Sequence, residues 1–290
     1  MRFPGRHMSE VLVTGATGTT GSRVAAFLSK RGVSTRLATR TPKARGQVRF
    51  DWADRDTHGD ALRGVSAVYL IAPIGFSDPV PLVTPFLEAA LHRGVRRVVL
   101  LSSSALPEGT PGLGAVHHLV RTTMPEWTVL RPSWFMQNFT GDHLVAHGVR
   151  DGEIVTATGN GRVAFIDAAD IAAVAGHALT DDVPHNTEHV LTGPEALSYA
   201  DAAEILTRQT GRSVLHRSVP AEEAAQRIAA HGLPTEFAKV LAAMDVDIRD
   251  GAEDRVTTTV GDVTGCPARS FGAFAAEEVR LSRRVAHDHR

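Results

Sequence analysis

Cysteine occurs once in the 290 residues, at Cys266, which excludes internal disulfides and every thiolate zinc cluster. Its neighbour Pro267 and loop-like surroundings read as structural rather than nucleophilic. Of the 31 basic residues only Lys30, Lys43 and Lys239 are lysines, a bias that fits a GC-rich genome better than a functional demand. Tyrosine is confined to Tyr69 and Tyr199. No apolar run approaches the ~20 residues of a membrane span, and the polar start MRFPGRHMSE has no signal-peptide hydrophobic region. The expectation is a cytoplasmic protein with no membrane partner, in which residues 1–7, ahead of Met8, are an arm, a vector remnant or an over-called start. A net charge of −1 with scattered basic residues lacks the field that concentrates nucleic acid, so no direct nucleic-acid binding is expected.

What is present begins with Val11 to Gly21, VLVTGATGTTG, a short apolar strand followed by glycines at 15, 18 and 21. Gly15 lets the chain reverse, Gly18 lets backbone approach a pyrophosphate, and Gly21 lets the following helix, about Ser22 to Lys30, lie close on the sheet. The helix-start amides then face the anion, with Thr17, Thr19 and Thr20 beside them. Strand before and helix after is the context that turns a weak glycine pattern into a dinucleotide site; the bland alternative is a glycine-rich connection. About 20 residues on, where an NAD site carries Asp or Glu, the chain reads Thr39, Arg40, Thr41, Pro42, Lys43. Arg40 with Lys43 can neutralise and hydrogen-bond a 2′-phosphate, so NADP(H) is favoured and NAD(H) is the alternative. If Arg40 is only a solvated loop cation, the choice stays open.

With 43% hydrophobic and 22% charged residues, the chain can bury a substantial core as one large domain or two lobes. Further apolar runs recur at Val48 to Phe50, Ala67 to Ala72, Arg97 to Ser102 and Thr128 to Leu130. Helical stretches near Thr57 to Arg63, Val83 to Arg93 and Leu113 to Thr123 separate them. This alternation predicts a doubly wound parallel sheet covered on both faces, with ligand across the carboxyl ends of the strands. Those ends carry Asp51 and Trp52, read as an adenine acceptor and cover against a packing role for Trp52, with Ala72, Pro73 and Ile74 as the opposite apolar edge. Ser102 to Ser104 and Pro132 to Asn138 end the next two strands.

Beyond about Asp151 the pattern turns mostly helical. Asp167 is a plausible N-cap, Glu188 to Leu191 a strand, and Leu197 to Thr210 a helix with Ser198 and Asp201 in capping-box spacing. Pro220 to His231, Thr235 to Met244 and Phe271 to Arg284 read as further helices. No internal repeat or low-complexity linker separates the halves.

The segments TGATGTTG, FDWAD, YLIAP, VVLLSSSA, WTVLRPSWFMQNF and VLTGPEALSYADAAEILTRQTG resemble atypical short-chain dehydrogenase/reductases of the NmrA-like group, in the branch similar to festuclavine synthase and agroclavine dehydrogenase. The resemblance covers about residues 9–280. It implies an α/β Rossmann-type domain over 8–155 and a smaller, mostly helical lobe over 156–290, with parts near 165–192 returning to the sheet. It also implies NAD(P)H along the strand ends and a substrate pocket closed by the lobe. The superfamily's Tyr-x-x-x-Lys pair is missing, since the relevant helix reads GLGAVHHLVRTT.

His117 and His118 remain for acid–base work, and one helix cannot point both inward because neighbours differ by about 100°. The alternative is that one packs and the other is solvated. Ser102 and Ser103 could orient nicotinamide or substrate, Ser103 being grouped with the two histidines as a catalytic candidate, and Pro132 belongs with the cofactor set. Ser104, Trp134, Phe135, Met136 and Asn138 suit a flat, largely apolar substrate, with a core seam as the competing reading. Met244 and Asp245 could reach it from the lobe. The pairs His143/His147 and His185/His189 have i, i+4 spacing without the Glu of a zinc hydrolase, so no metal is assigned.

The leading expectation is an NADPH-dependent reductase of an iminium, imine, enone or quinone, in specialised metabolism. An iminium carbon needs no proton donor at the new bond, so the missing tyrosine does not oppose hydride transfer. The alternatives are a dinucleotide-binding redox sensor without turnover and a non-redox isomerase or cyclase using His117 or His118. The expected partner is a small-molecule substrate, and the expected assembly a monomer or homodimer.

Overall fold

The computed structural model describes residues 10–73 and 75–288. In chain order the sheet-forming half contains β1 (Glu10–Val13), α1 (Thr19–Lys30), β2 (Thr35–Thr39), β3 (Gln47–Arg49), α2 (Asp56–Ala61), β4 (Val65–Ile71), α3 (Val80–His92), β5 (Arg97–Leu101), α4 (Leu113–Thr123) and β6 (Glu126–Pro132). A 3-10 turn (Met136–Phe139) leads to α5 (Leu144–Asp151), β7 (Glu153–Thr156), β8 (Arg162–Val163), α6 (Ala168–Thr180) and β9 (Thr187–Leu191). Then come β10 (Leu197–Ser198), α7 (Tyr199–Thr210), β11 (Leu215–Ser218), α8 (Ala221–Ala230), α9 (Thr235–Arg249), α10 (Thr259–Thr264) and α11 (Phe271–Asp288). No described helix is long and apolar enough to cross a membrane.

The chain divides into two compact units, one running to Pro132 and taking in Ala168–Val190, the other made of Ser133–Asp167 and the chain from Leu191. Residues 133–155, which the sequence reading grouped with the sheet, therefore fall in the second unit. The reason is local: after Pro132 the backbone leaves β6 for the 3-10 turn, and Met136 N donates to Ile166 O, 2.8 Å away in the lobe.

In the first unit the sheet order is β3-β2-β1-β4-β5-β6-β9, and the ladder from β3 to β6 is parallel throughout. The order reverses beside β1, which makes the β1/β4 carboxyl ends the switch point where ligands bind in such sheets. Apolar runs such as Ala67–Ile71 of β4 follow from coverage on both faces. Leu12, Val68, Leu70, Val98 and Leu100 pack under Phe86 and Leu87 of α3 and Val116 and Val120 of α4, while α1 and α6 pack together.

The second unit is built on small pairs: β7 with β11, parallel, and β8 with β10, antiparallel. Its core is aromatic, with Phe139 at 5.0 Å from Phe165 and 4.8 Å from Phe271 between ring centres, and Phe165 at 5.3 Å from Tyr199. The capping box of α7 is complete: Asp201 N donates to Ser198 Oγ at 3.1 Å and Ser198 N to Asp201 Oδ2 at 2.9 Å. Asp167 stands immediately before α6, and its carboxylate accepts from Gln137 Nε2 at 2.8 Å and Arg269 Nη1 at 2.9 Å. Helix α9 continues past Met244 to Arg249, and α5, β7 and β11 had no counterpart in the sequence reading.

Candidate functional site

After β1 the chain turns at Gly15, whose φ of +58° is left-handed backbone, and whose missing Cβ would lie 2.8 Å from Ile71 Cδ1. Gly18 N closes the turn on Gly15 O at 2.9 Å, and Ala16 N ties it to Ala38 O of β2 at 3.4 Å. A Cβ at Gly21 would sit 2.3 Å from Gly15 O, so only glycine lets α1 start this close to the turn. Gly18 is an extended N-cap with no side-chain cap, and α1 begins at Thr19 rather than Ser22. No side chain therefore claims the first-turn amides of Thr19, Thr20 and Gly21, and Thr17, Gly18 and Thr19 are exposed. Amides exposed at a helix start are the arrangement that receives anions, which makes this turn the candidate cradle.

Around the cradle, Thr39 ends β2 and Arg40 follows it, exposed and without an ion pair among the described residues. Lys43 is exposed too, its amide donating to Gln47 Oε1 at 2.6 Å. Asp51 turns its carboxylate to Ala53 N at 3.0 Å. Trp52 is half-buried in an aromatic cluster, edge-on to Phe50 at 5.0 Å and Phe86 at 5.2 Å, so its ring is held chiefly by packing. Ala72 and Pro73 are buried at the end of β4, and Ile74 lies outside the described residues.

The ends of β5 and β6 are held by a network the sequence reading missed. Arg131 Nη1 donates to both carboxylate oxygens of Glu188 at 3.0 Å, Nη2 to Ser104 O at 2.9 Å, and Nε to Ser103 O at 3.3 Å. The planar guanidinium thereby fixes the serine turn through its carbonyls. Ser104 N donates to Pro132 O at 2.9 Å, and Ser103 Oγ accepts from Ala105 N at 3.3 Å. Ser102 Oγ is buried without a hydrogen-bond partner, at the strand end where a ligand group could meet it.

Of the two histidines only one points inward, as helix geometry requires. His117 is buried; burial lowers its pKa, with Glu108 and Glu188 pulling the other way, and its Nδ1 lies 3.7 Å from Glu188 Oε2, too far to bond. His118 is exposed and hydrogen-bonded to Glu108 at 2.8 Å. The tyrosines sit elsewhere, both buried: Tyr69 inside β4 and Tyr199 at the start of α7.

The lobe contains its own cavity of about 610 Å³, with Trp134, Asn138, Tyr199, Met244 and Asp245 among the residues lining it. Phe135 is not on this wall; its backbone bridges to Ile166. Met136 is fully buried in the aromatic core, the seam that competed with a pocket role. Asp245 Oδ2 accepts from Ala157 N at 2.9 Å, and burial raises the carboxyl to about 6, that amide opposing. His143 and His147 also line the cavity, while His185 Nδ1 meets His189 Nε2 at 2.9 Å in the sheet unit. Among the described residues no group of three His, Cys, Asp or Glu is arranged to hold a metal ion.

A parallel sheet in this order, with the glycine turn after β1, defines a Rossmann-type dinucleotide fold. Residues 7–263 match the NmrA-like family, and the chain belongs to it. Over 269 residues it is 48% identical to the uncharacterized oxidoreductase YesF of Bacillus subtilis (strain 168), spanning 92% of this chain and 94% of that one. Over 279 residues it is 38% identical to agroclavine dehydrogenase of Claviceps fusiformis, spanning 92% and 96%. Among solved structures, the NADPH-dependent quinone oxidoreductase QOR2 of Escherichia coli, complexed with NADPH, matches with a TM-score of 0.79 at 23% identity, covering 92% of this chain and 99% of that one. The chain is accordingly an enzyme of the oxidoreductase class.

Proposed function

We propose that this enzyme is an NADPH-dependent reductase passing hydride to a small, flat, conjugated acceptor: an iminium or imine, an enone or a quinone. The observation that carries the cofactor reading is Arg40 directly after β2, exposed and without an ion pair among the described residues, in a fold whose β1–α1 turn is so tight that a Cβ at Gly21 would meet Gly15 O at 2.3 Å. In this reading Gly15, Thr17, Gly18, Thr19, Thr20 and Gly21 receive the pyrophosphate on backbone amides and hydroxyls. Arg40, Lys43 and Thr39 take the 2′-phosphate. Asp51 and the exposed part of Trp52 border the adenine, and Ala72 and Pro73 floor the cleft.

When bound, the nicotinamide supplies the hydride, and the chain's task is to orient groups around it. In the sheet unit, Ser102, the Ser103 turn held by Arg131, and Pro132 are the residues assigned to its reacting end; in the lobe, Trp134, Asn138 and Met244 line the cavity assigned to the acceptor. Helix α4 carries neither tyrosine nor lysine over Leu113–Thr123, so a Tyr-Lys proton donor is not available from it. An acceptor carbon that already bears positive charge needs none. A relative named for agroclavine and a structural neighbour named for quinones support this range of acceptors.

The test is loss of absorbance at the reduced-nicotinamide band, with NADPH and NADH in parallel, against cyclic iminium ions, quinones, enones and aldehydes. Consumption of NADPH by one acceptor class is expected. Tight dinucleotide binding with no consumption across the panel would overturn the reductase reading in favour of a sensor or a non-redox enzyme.

A further inference from the structure

The lobe cavity combines aromatic and aliphatic walls, from Trp134, Tyr199, Ile228, Leu241 and Met244, with several carboxylates. Most of these carboxylates are accounted for. Asp142 is taken by His147 Nε2 at 2.6 Å, and Glu153 by Arg217 Nε at 3.2 Å. Asp151 is exposed to solvent. Asp245 differs: it is half-buried on α9, one oxygen is held by Ala157 N, and among the described residues no cation pairs with it. The only arginine on the wall, Arg227, lies 3.9 Å from Glu223 Oε1, and His231 Nδ1 is engaged with Arg227 O at 2.8 Å.

A carboxylate withdrawn from water without a partner is unfavourable unless a ligand supplies the opposite charge. The wall also carries the indole of Trp134, a ring type whose π face attracts cations.

We propose that Asp245, in a cavity that Trp134 also lines, is the anchor for a cationic centre on the acceptor, so that the pocket selects iminium or protonated-amine substrates over neutral ones of the same shape. This rests on the reading of the lobe cavity as the acceptor site. Burial, which raises the Asp245 carboxyl to about 6, is the free-energy cost that a bound cation relieves. Tyr199 does not compete as an anion, because burial and then the Asp245 charge push its phenol well above the ordinary range. Burial and then His147 disfavour the charged form of His143, with the Asn138 backbone opposing.

The experiment is calorimetric titration of the full chain with N-methylquinolinium, a flat cation whose charge cannot titrate, and with neutral quinoline. The cation should bind tenfold to about a hundredfold more tightly, the range of one charge-assisted contact. Asp245→Asn, whose amide oxygen still accepts from Ala157, should abolish that preference and leave quinoline unchanged. In the unmodified protein, lowering the pH from about 7.5 to about 5 should weaken N-methylquinolinium, whose own charge does not change, as the carboxylate protonates; quinoline serves as the neutral probe only at the higher pH. Equal binding of the two probes, binding of neither, or a preference that survives the substitution together with cation binding that survives the low pH would overturn the anchor. If the preference fails while neutral quinones still oxidise NADPH, the reductase reading stands without it. If the preference holds and no acceptor consumes NADPH, the anchor stands and the reductase reading falls.

Discussion

The strand ends of the sheet unit and the cavity of the lobe treat their charged groups in opposite ways. At the end of β6, Arg131 has four of its five N–H donors engaged: Glu188 takes two bonds at 3.0 Å and the carbonyls of Ser103 and Ser104 take two more. In the lobe, Asp245 has one backbone amide and, among the described residues, no cation. A densely bonded, charge-paired network holds backbone in place, whereas a carboxylate left half-satisfied in a cavity favours an incoming cation. The same contrast runs through the glycine turn, where the useful groups are backbone amides fixed by close packing rather than side chains free to adjust.

The sharpest break comes from filling the cradle. Gly21→Val puts a branched side chain where even a Cβ meets Gly15 O at 2.3 Å. It should abolish dinucleotide binding and destabilise the chain by about 3 kcal/mol or more, read by cofactor fluorescence and thermal melting. Gly193→Ala, whose Cβ would meet Phe165 O at 2.0 Å, should lower the melting temperature while leaving dinucleotide affinity intact. Equal loss of cofactor in both variants would erase the contrast between the regions.

Next in size is the free carboxylate. Because the folded pKa of Asp245, about 6, lies above its ordinary value of 3.8, the folded chain binds the extra proton, so Asp245 favours the fold at low pH and this contribution is lost as pH rises through about 6. Asp245→Asn should therefore raise stability at neutral pH by up to about 3 kcal/mol, a gain that fades between about pH 6 and pH 4. Chemical denaturation across that window checks it; a pH-independent difference would show that burial of the charge is not the cause.

Arg40→Ala sharpens the sheet side. It should weaken NADPH tenfold to about a hundredfold and NADH little, the scale of one charge-assisted contact to phosphate. Equal losses in titrations of both cofactors would remove the 2′-phosphate assignment. The smallest effect belongs to the lobe: Ser198→Ala takes away half of the α7 capping box and should cost about 1 kcal/mol in a denaturation midpoint, without touching either binding property.

Much of the sheet unit was legible because its signals are local. A strand, a turn and a helix within Glu10–Lys30 declare the cradle through residue types alone, and the Ser198/Asp201 box spans three positions. Trp52 shows the limit of such reading: its place at a strand end suggested adenine, but Phe50 and Phe86 decide how much of its ring is free. Met136 shows it again, lying in an otherwise pocket-like run yet turned into the aromatic core by the 3-10 turn that starts there.

Composition, hydrophobic alternation and glycine spacing by themselves determined the parallel sheet, the tight glycine turn after β1 and the basic residue after β2, because each depends on neighbours within a few positions of the chain. Only the tertiary structure decided that Arg131 meets Glu188 across 57 residues, and that Asp245 meets Ala157 across 88. It alone left the Asp245 carboxylate in a cavity without a cation. Such pairings arise from where long connections return, and a charge's solvation is a property of everything packed around it, which no local pattern encodes.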